Sequence, residues 1–92
     1  MPNVTAVSIK TSDGAAKSSP GVVYWVAVSA GATGGAFQLN DSTDDSGTDM
    51  LNITVAATTT QFFDFTGAVI NFGTGIYVDV PGTNLTVNVG YA

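Results

Sequence analysis

The chain has 92 residues, with seven acidic and two basic side chains that give a net charge of −5, and it contains neither Cys nor His. Its length predicts one domain over residues 1–92; the lack of Cys excludes disulfides and thiolate metal sites, and the lack of His removes the commonest general base. The acidic balance excludes nucleic-acid binding, which requires a cationic surface, and it disfavours docking on anionic membranes.

The first twenty residues predict an edge strand followed by a loop. Residues 3–10 alternate in polarity, with Val7 and Ile9 on one face. We place this strand at a sheet edge because Lys10 hinders pairing with another chain. The ten residues that follow are small and polar and include an Asp-Gly turn, so they predict a loop longer than a hairpin needs. Residues 1–20 are therefore a candidate N-terminal arm or loop.

Residues 21–30 predict the central strand of the fold. They contain the longest apolar run of the chain and its only Trp, Trp25, and glycines lie at both ends of the run. A run this short and this rich in Val favours a strand over a helix. We expect this strand to be buried on both faces.

The rest of the chain predicts six shorter strands separated by turns every 8–12 residues. They span residues 36–40, 50–56, 60–65, 67–72, 76–80 and 85–91. Their alternation places apolar side chains inward, namely Phe37, Leu39, Leu51, Ile53, Val55, Phe63, Phe65, Ile76, Val78, Val80, Leu85, Val87, Val89 and Tyr91. The predicted fold class is all-β: a single-domain antiparallel sandwich, jelly-roll-like, with about eight short strands and essentially no helix.

The acidic loop at residues 41–49 is the one candidate ion site. It carries Asp41, Asp44, Asp45 and Asp49, and calcium is bound by six to eight oxygen ligands. The loop lacks the Gly and the terminal Glu that an EF-hand requires at fixed positions. We therefore expect a solvated surface loop that keeps the protein soluble, and we assign no metal-binding residue.

A pair of aspartates and a set of four aromatic residues are two further candidate sites. Asp64 and Asp79 could form the carboxylate pair of a glycosidase, but both occupy outward positions of predicted strands, so we assign no catalytic residue and no cofactor. Four aromatic residues could form a sugar-stacking platform, or could lie in the core or at a subunit interface: Tyr24, Trp25, Tyr77 and Tyr91.

We expect no signal peptide, because the first residues of the sequence lack a basic segment followed by an apolar one. No apolar stretch approaches the roughly 20 residues that a membrane helix needs. We expect a chain that is made and kept in the cytoplasm, or released later by lysis or within an assembly.

The order of these strands and turns resembles small all-β virion structural proteins of tailed bacteriophages, of the capsid decoration (cement) type. An apolar strand that follows Pro-Gly leads to a small-residue turn, a short aromatic strand, a Phe-Gly-Thr-Gly-Ile segment and an aromatic C-terminus. The segments that carry the resemblance are residues 4–24, 37–41, 56–65, 72–78 and 85–92, and the order of strands and turns that they define covers nearly the whole chain.

The resemblance implies a non-enzymatic decoration protein that stabilises a phage head by bridging subunits of the major capsid protein. It implies a homotrimer on the virion surface, made in the host cytoplasm and needing no cofactor. We expect residues 1–5 and 11–19 to contact the shell. The alternatives are a receptor- or glycan-binding fibre or knob module and a self-assembling filament subunit. Exposure of Tyr24 and Trp25 would favour binding, and their burial would favour decoration.

Overall fold

A computed structural model describes residues 6–81 and 84–92 of the chain. These residues form nine strands and contain no helix. The strands are β1 (Ala6–Lys10), β2 (Gly14–Lys17), β3 (Gly21–Ala30), β4 (Gly35–Asp41), β5 (Thr48–Val55), β6 (Thr60–Asp64), β7 (Ile70–Phe72), β8 (Ile76–Asp79) and β9 (Leu85–Tyr91). The all-β prediction is confirmed, with one strand more than expected.

Two antiparallel sheets form the two layers of a sandwich. Sheet A has the order β1-β9-β3-β6, and β7 pairs with the other end of β3, so that β6 and β7 share one side of it. Sheet B has the order β2-β8-β4-β5. Each sheet buries one face against the other sheet, which is how antiparallel sheets usually form a core.

Strand pairing is nested along the chain. β4 pairs with β5, β3 with β6 and β7, β2 with β8, and β1 with β9. The ribbon formed in this way is rolled up, because β3 also pairs with β9 and β4 also pairs with β8. Segments that are far apart in the sequence therefore meet on the same face of the domain.

The core fills the space between the two inner faces. Its buried residues are Val23, Val26, Val28, Phe37, Leu39, Val55, Phe72, Ile76, Val78, Val80, Leu85, Val87 and Val89. The inward positions predicted for β4, β8 and the first part of β9 are confirmed, and Leu51, Ile53, Phe63, Phe65 and Tyr91 pack against this core while half-buried. Full burial of one such Val or Leu side chain stabilises the fold by about 1.5–3 kcal/mol.

The strand β3 is central to its sheet, as predicted, but it is not buried on both faces. Val23, Val26 and Val28 are buried, whereas Trp25 is half-buried and Ser29 is exposed. The register against β9 shifts between Val23 and Trp25. This irregularity explains why the next buried residue after Val23 is Val26, three positions further on, rather than the residue two positions further on. The expectation fails because none of the strands in the described part of the chain covers the outer side of sheet A.

Residues 6–20 do not form an arm. β1 pairs with β9 at the edge of sheet A, as predicted for an edge strand, and β2 pairs with β8 at the edge of sheet B. The predicted loop is thus interrupted by a strand. Just before that strand, a carboxylate oxygen of Asp13 accepts a hydrogen bond from the Val80 N–H (2.8 Å), which ties this segment to the end of β8. Residues 1–5 of the predicted arm lie outside the described residues.

Candidate functional site

The outer face of sheet A carries a group of apolar side chains, which we call the apolar face. Its members are Val7, Ile9, Trp25, Ala27 and Phe62. The pairing register places them in two adjacent rows that run across β1, β9, β3 and β6. Val7, Ile9 and Phe62 are 52%, 65% and 62% exposed, so they form a surface rather than part of the core.

The orientation of β1 creates one side of the apolar face. Its predicted alternation is confirmed, but Val7 and Ile9 point outward, while Ser8 lies opposite the buried Val89 and Lys10 lies opposite the buried Val87. An antiparallel sheet with one solvated face normally presents polar residues there. In β1 the apolar residues face the solvent, so core formation does not explain them.

Trp25 is held in place on the apolar face by two neighbours. A side-chain carbon at Gly90 would overlap the indole ring of Trp25, so the indole lies directly over the Gly90 backbone. On the other side, the rings of Trp25 and Phe62 are tilted at 33°, with their centroids 5.9 Å apart, a favourable aromatic arrangement. The face therefore presents a fixed aromatic pair rather than a mobile side chain.

The outer side of sheet B has the opposite character, and we call it the acidic face. It comprises five aspartates that act electrostatically on Tyr77 or on one another: Asp13, Asp44, Asp45, Asp49 and Asp79. Burial, and then the negative charges of Asp13 and Asp45, raise the pKa of the Tyr77 hydroxyl. The negative charge is thus concentrated on one side of the sandwich.

Asp79 experiences this crowding most strongly. Burial raises the pKa of the Asp79 carboxyl, and the charge and hydrogen bond of Asp13 raise it further. Like charges at short range disfavour the ionised form, so the neighbouring Asp13 favours the protonated form of Asp79.

Asn40 lies fully buried beside the acidic face. Its side-chain amide donates a hydrogen bond to a carboxylate oxygen of Asp49 (2.5 Å), and in the register of β4 with β8 it lies opposite Tyr77. Its own amide oxygen has no hydrogen-bond partner. A buried polar atom without a partner costs stability, so this is a locally unfavourable position in sheet B.

The carboxylates of the acidic loop accept hydrogen bonds, some from residues 73–75 and some from within the loop itself. Asp41 accepts hydrogen bonds from the backbone N–H groups of Thr74 (2.7 Å), Gly73 (3.1 Å) and Gly75 (3.4 Å), which lower its pKa. Asp44 accepts hydrogen bonds from the side chain and the backbone of Ser46, which lower its pKa as well. Within residues 6–81 and 84–92, no three acidic, His or Cys side chains are arranged to hold a metal ion.

The two carboxylates weighed as a glycosidase pair do not meet. Asp64 lies opposite Trp25 on the outer face of sheet A, and hydrogen bonds from the backbone and the hydroxyl of Thr66 lower its pKa. Asp79 belongs to β8 in sheet B, where it contributes to the acidic face. Because the two sheets present opposite outer faces, no substrate could contact both groups at once.

The aromatic platform is also divided. Trp25 lies on the apolar face, Tyr77 lies among the aspartates of sheet B, and Tyr91 packs against the core. Tyr24 is half-buried, and its backbone carbonyl accepts a hydrogen bond from the Phe65 N–H (2.7 Å). Tyr77 therefore lies in the other sheet from Tyr24, Trp25 and Tyr91, and within sheet A Trp25 lies on the outer face while Tyr91 packs against the core.

The sequence analysis did not predict the outward orientation of Phe62 or the burial of Asn40. Phe62 was missed although it is the aromatic residue out of phase with Phe63 and Phe65, which is the pattern expected of an outward aromatic side chain. The burial of Asn40 left no comparable pattern, since a polar residue at the end of a strand usually faces solvent.

Comparison of the chain with protein-family models, with curated proteins and with solved structures gives no match. The described residues include no helix long and apolar enough to cross a bilayer. No pocket is found in the same part of the chain.

Proposed function

We propose that this chain is a non-enzymatic structural protein of a virion. In this proposal it is a capsid decoration protein that binds the major capsid protein on the head surface as a homotrimer and needs no cofactor. The observation that carries the proposal is the apolar face, where Val7, Ile9 and Phe62 are more than half exposed. Contiguous exposed apolar patches of this kind mark protein–protein contact surfaces.

The strand order supports a virion role at the level of fold. Pairing is nested from β4–β5 out to β1–β9, and the rolled ribbon forms two sheets of four strands each, apart from the small β7. This order supports the proposed jelly-roll-like fold, and jelly rolls occur in viral capsid proteins, lectins and cupins. The fold is an analogy and leaves function to the surface residues.

The chemistry of the apolar face supports protein contact over sugar recognition. Trp25 is half-buried, which by itself favours neither function. Val7, Ile9 and Phe62 carry no hydrogen-bonding side-chain group, whereas sugar hydroxyls need such partners. The polar side chains in the two rows already have partners: Asp64 accepts hydrogen bonds from Thr66, and Asn88 donates its amide hydrogen to the Ala27 carbonyl (3.2 Å). The receptor- or glycan-binding alternative is therefore an outcome of the test below.

The proposed mechanism is mechanical. Each copy bridges neighbouring capsid subunits, so expansion of the head under the pressure of its DNA must first expose to water the area buried at that joint. The hydrophobic effect opposes this exposure at about 25 cal/mol per Å² of apolar area. The acidic face stays in solvent, where net negative charge maintains solubility.

The proposal can be tested on particles of the phage that encodes the chain. We expect an antibody raised against the purified chain to label heads by immunogold, with a fixed copy ratio to the major capsid protein. Deletion of the gene should lower the temperature at which heads release their DNA, and added protein should restore it. Labelling of fibre tips would replace this proposal with receptor binding, and absence from particles would refute a virion role.

A further inference from the structure

We propose that the apolar face is the surface through which copies of this chain associate with one another. The inference rests on the homotrimer of the proposed function but not on its capsid partner. The comparison of the two outer faces is its starting point. Outward residues of sheet B are polar or acidic, such as Asn52, Thr54 and Asp79, as a solvated sheet face requires. In the two corresponding rows of sheet A, Asn88 and Asp64 are polar, Gly90 has no side chain, and the other five residues are apolar.

The composition of the apolar face matches the centre of a protein interface. Such centres are depleted of charged residues and enriched in aromatic ones. Here Val7 and Ile9 are β-branched and Trp25 is fixed between Gly90 and Phe62, so burying these side chains costs little conformational entropy.

The distribution of charge favours a second copy as the occupant. A chain of net charge −5 repels its own copies wherever their acidic surfaces approach. Asp64 is the only aspartate within a strand of sheet A, and it is engaged by Thr66. Association through the apolar faces keeps the acidic faces of the copies on the outside of the assembly. Even the shortest dimension of the molecule, 17 Å, is about twice the Debye length of about 8 Å at physiological salt.

The dimensions of the domain set how far the contact must extend. The two longer dimensions, 34 and 29 Å, limit the whole outer side of sheet A to about 1,000 Å², and a standard interface buries about 800 Å² per partner. A contact of that size would therefore have the apolar face at its centre and the rest of the outer side of sheet A around it. A flat face can meet one copy across a two-fold axis or two copies around a three-fold axis, and the proposed homotrimer corresponds to the second arrangement.

The test measures mass in solution by light scattering after size exclusion, with and without EDTA, over a range of concentrations. Ile9→Asp and Phe62→Asp place a charge in the apolar face, and Met50→Asp is the matched control, because Met50 is 37% exposed on β5 of sheet B. Circular dichroism checks that each variant is folded, and Ile9→Ser and Phe62→Ser replace any variant that is not.

We expect a wild-type oligomer that EDTA does not dissociate, and association weakened roughly a hundredfold or more by either apolar-face variant, because like charges then meet in a desolvated contact. The control should keep the wild-type mass. Unchanged mass of the Ile9 and Phe62 variants beside an oligomeric wild type would overturn the assignment of the face and leave the homotrimer standing. A monomeric wild type would overturn both, and a dimer lost in the same variants would support the face while refuting the trimer.

Discussion

Substitution of Gly90 tests the geometry of the apolar face most directly. Gly90 lies in β9, between Val7 of β1 and Trp25 of β3. A Cβ atom at this position would overlap the Cε2 and Nε1 atoms of the Trp25 indole. In Gly90→Ala the ring must therefore leave its place over the backbone, or the strands must move apart.

Two opposing effects determine the stability of Gly90→Ala. Replacing Gly by Ala restricts the unfolded chain, which by itself stabilises a protein by about 0.4–1 kcal/mol. Forcing extra volume into an occupied site costs about 1–3 kcal/mol. Because the overlap involves a bulky ring that is also packed on Phe62, we expect the second effect to prevail, with a net loss of about 1–2 kcal/mol. For a domain of this size that corresponds to a fall in Tm of roughly 4–16 °C.

Urea unfolding and tryptophan fluorescence measure the two consequences separately. Trp25 is the only Trp of the chain, so a red shift of the emission reports its displacement toward solvent. Gly35→Ala is the matched control: its Cβ would meet the Leu85 side chain at 3.6–3.9 Å, an ordinary contact, and we expect a change between zero and about 1 kcal/mol of stabilisation. Unchanged stability and emission of Gly90→Ala would refute the placement of the indole over Gly90.

Three further substitutions test sheet B and the core. Asp79→Asn should raise the free energy of unfolding at pH 7 but not at pH 3: the pKa of Asp79 is raised in the folded state, so its stabilising contribution is complete below the ordinary value of 3.8 and is lost as the pH rises through the folded-state pKa. Equal effects at both pH values in urea titrations would contradict this. Asn40→Asp should destabilise by about 3 kcal/mol at neutral pH, since it buries a second carboxylate against Asp49, and a loss below about 0.5 kcal/mol in the same assay would show that the site is open to water. Leu39→Ala should cost about 2–5 kcal/mol by calorimetry because the side chain is fully buried, and a near-neutral result would place Leu39 outside the core.

The sequence by itself determined the class of the fold and most of its core. In β8 and β9, apolar and polar residues alternate strictly, and the predicted inward residues Val78, Leu85 and Val87 are buried. Alternation is sufficient there because a strand has only two faces and one of them must be apolar to form a core. The turn dipeptides between the strands fixed the approximate element boundaries for the same local reason.

The direction of β1 was decided by its partner strand. Alternation predicts that Val7 and Ile9 lie on the same face of β1. It does not predict whether that face is turned toward the core, because this depends on how β1 pairs with its neighbour. Pairing with β9 places Val7 opposite Gly90 and thus on the outer face, since the phase of β9 is fixed by its buried valines. A shift of register by one residue would have exchanged the two faces of β1.

Only the tertiary structure separated the two surfaces of the domain. Asp13, Asp45 and Asp79 come from three distant segments, and the apolar face likewise combines Ile9 with Phe62. Nested pairing brings such segments together through backbone hydrogen bonds, and these bonds are the same whether the side chains are charged or apolar. The sequence therefore determined how much apolar and acidic surface the protein has, whereas the order of strands in each sheet decided that the two lie on opposite sides.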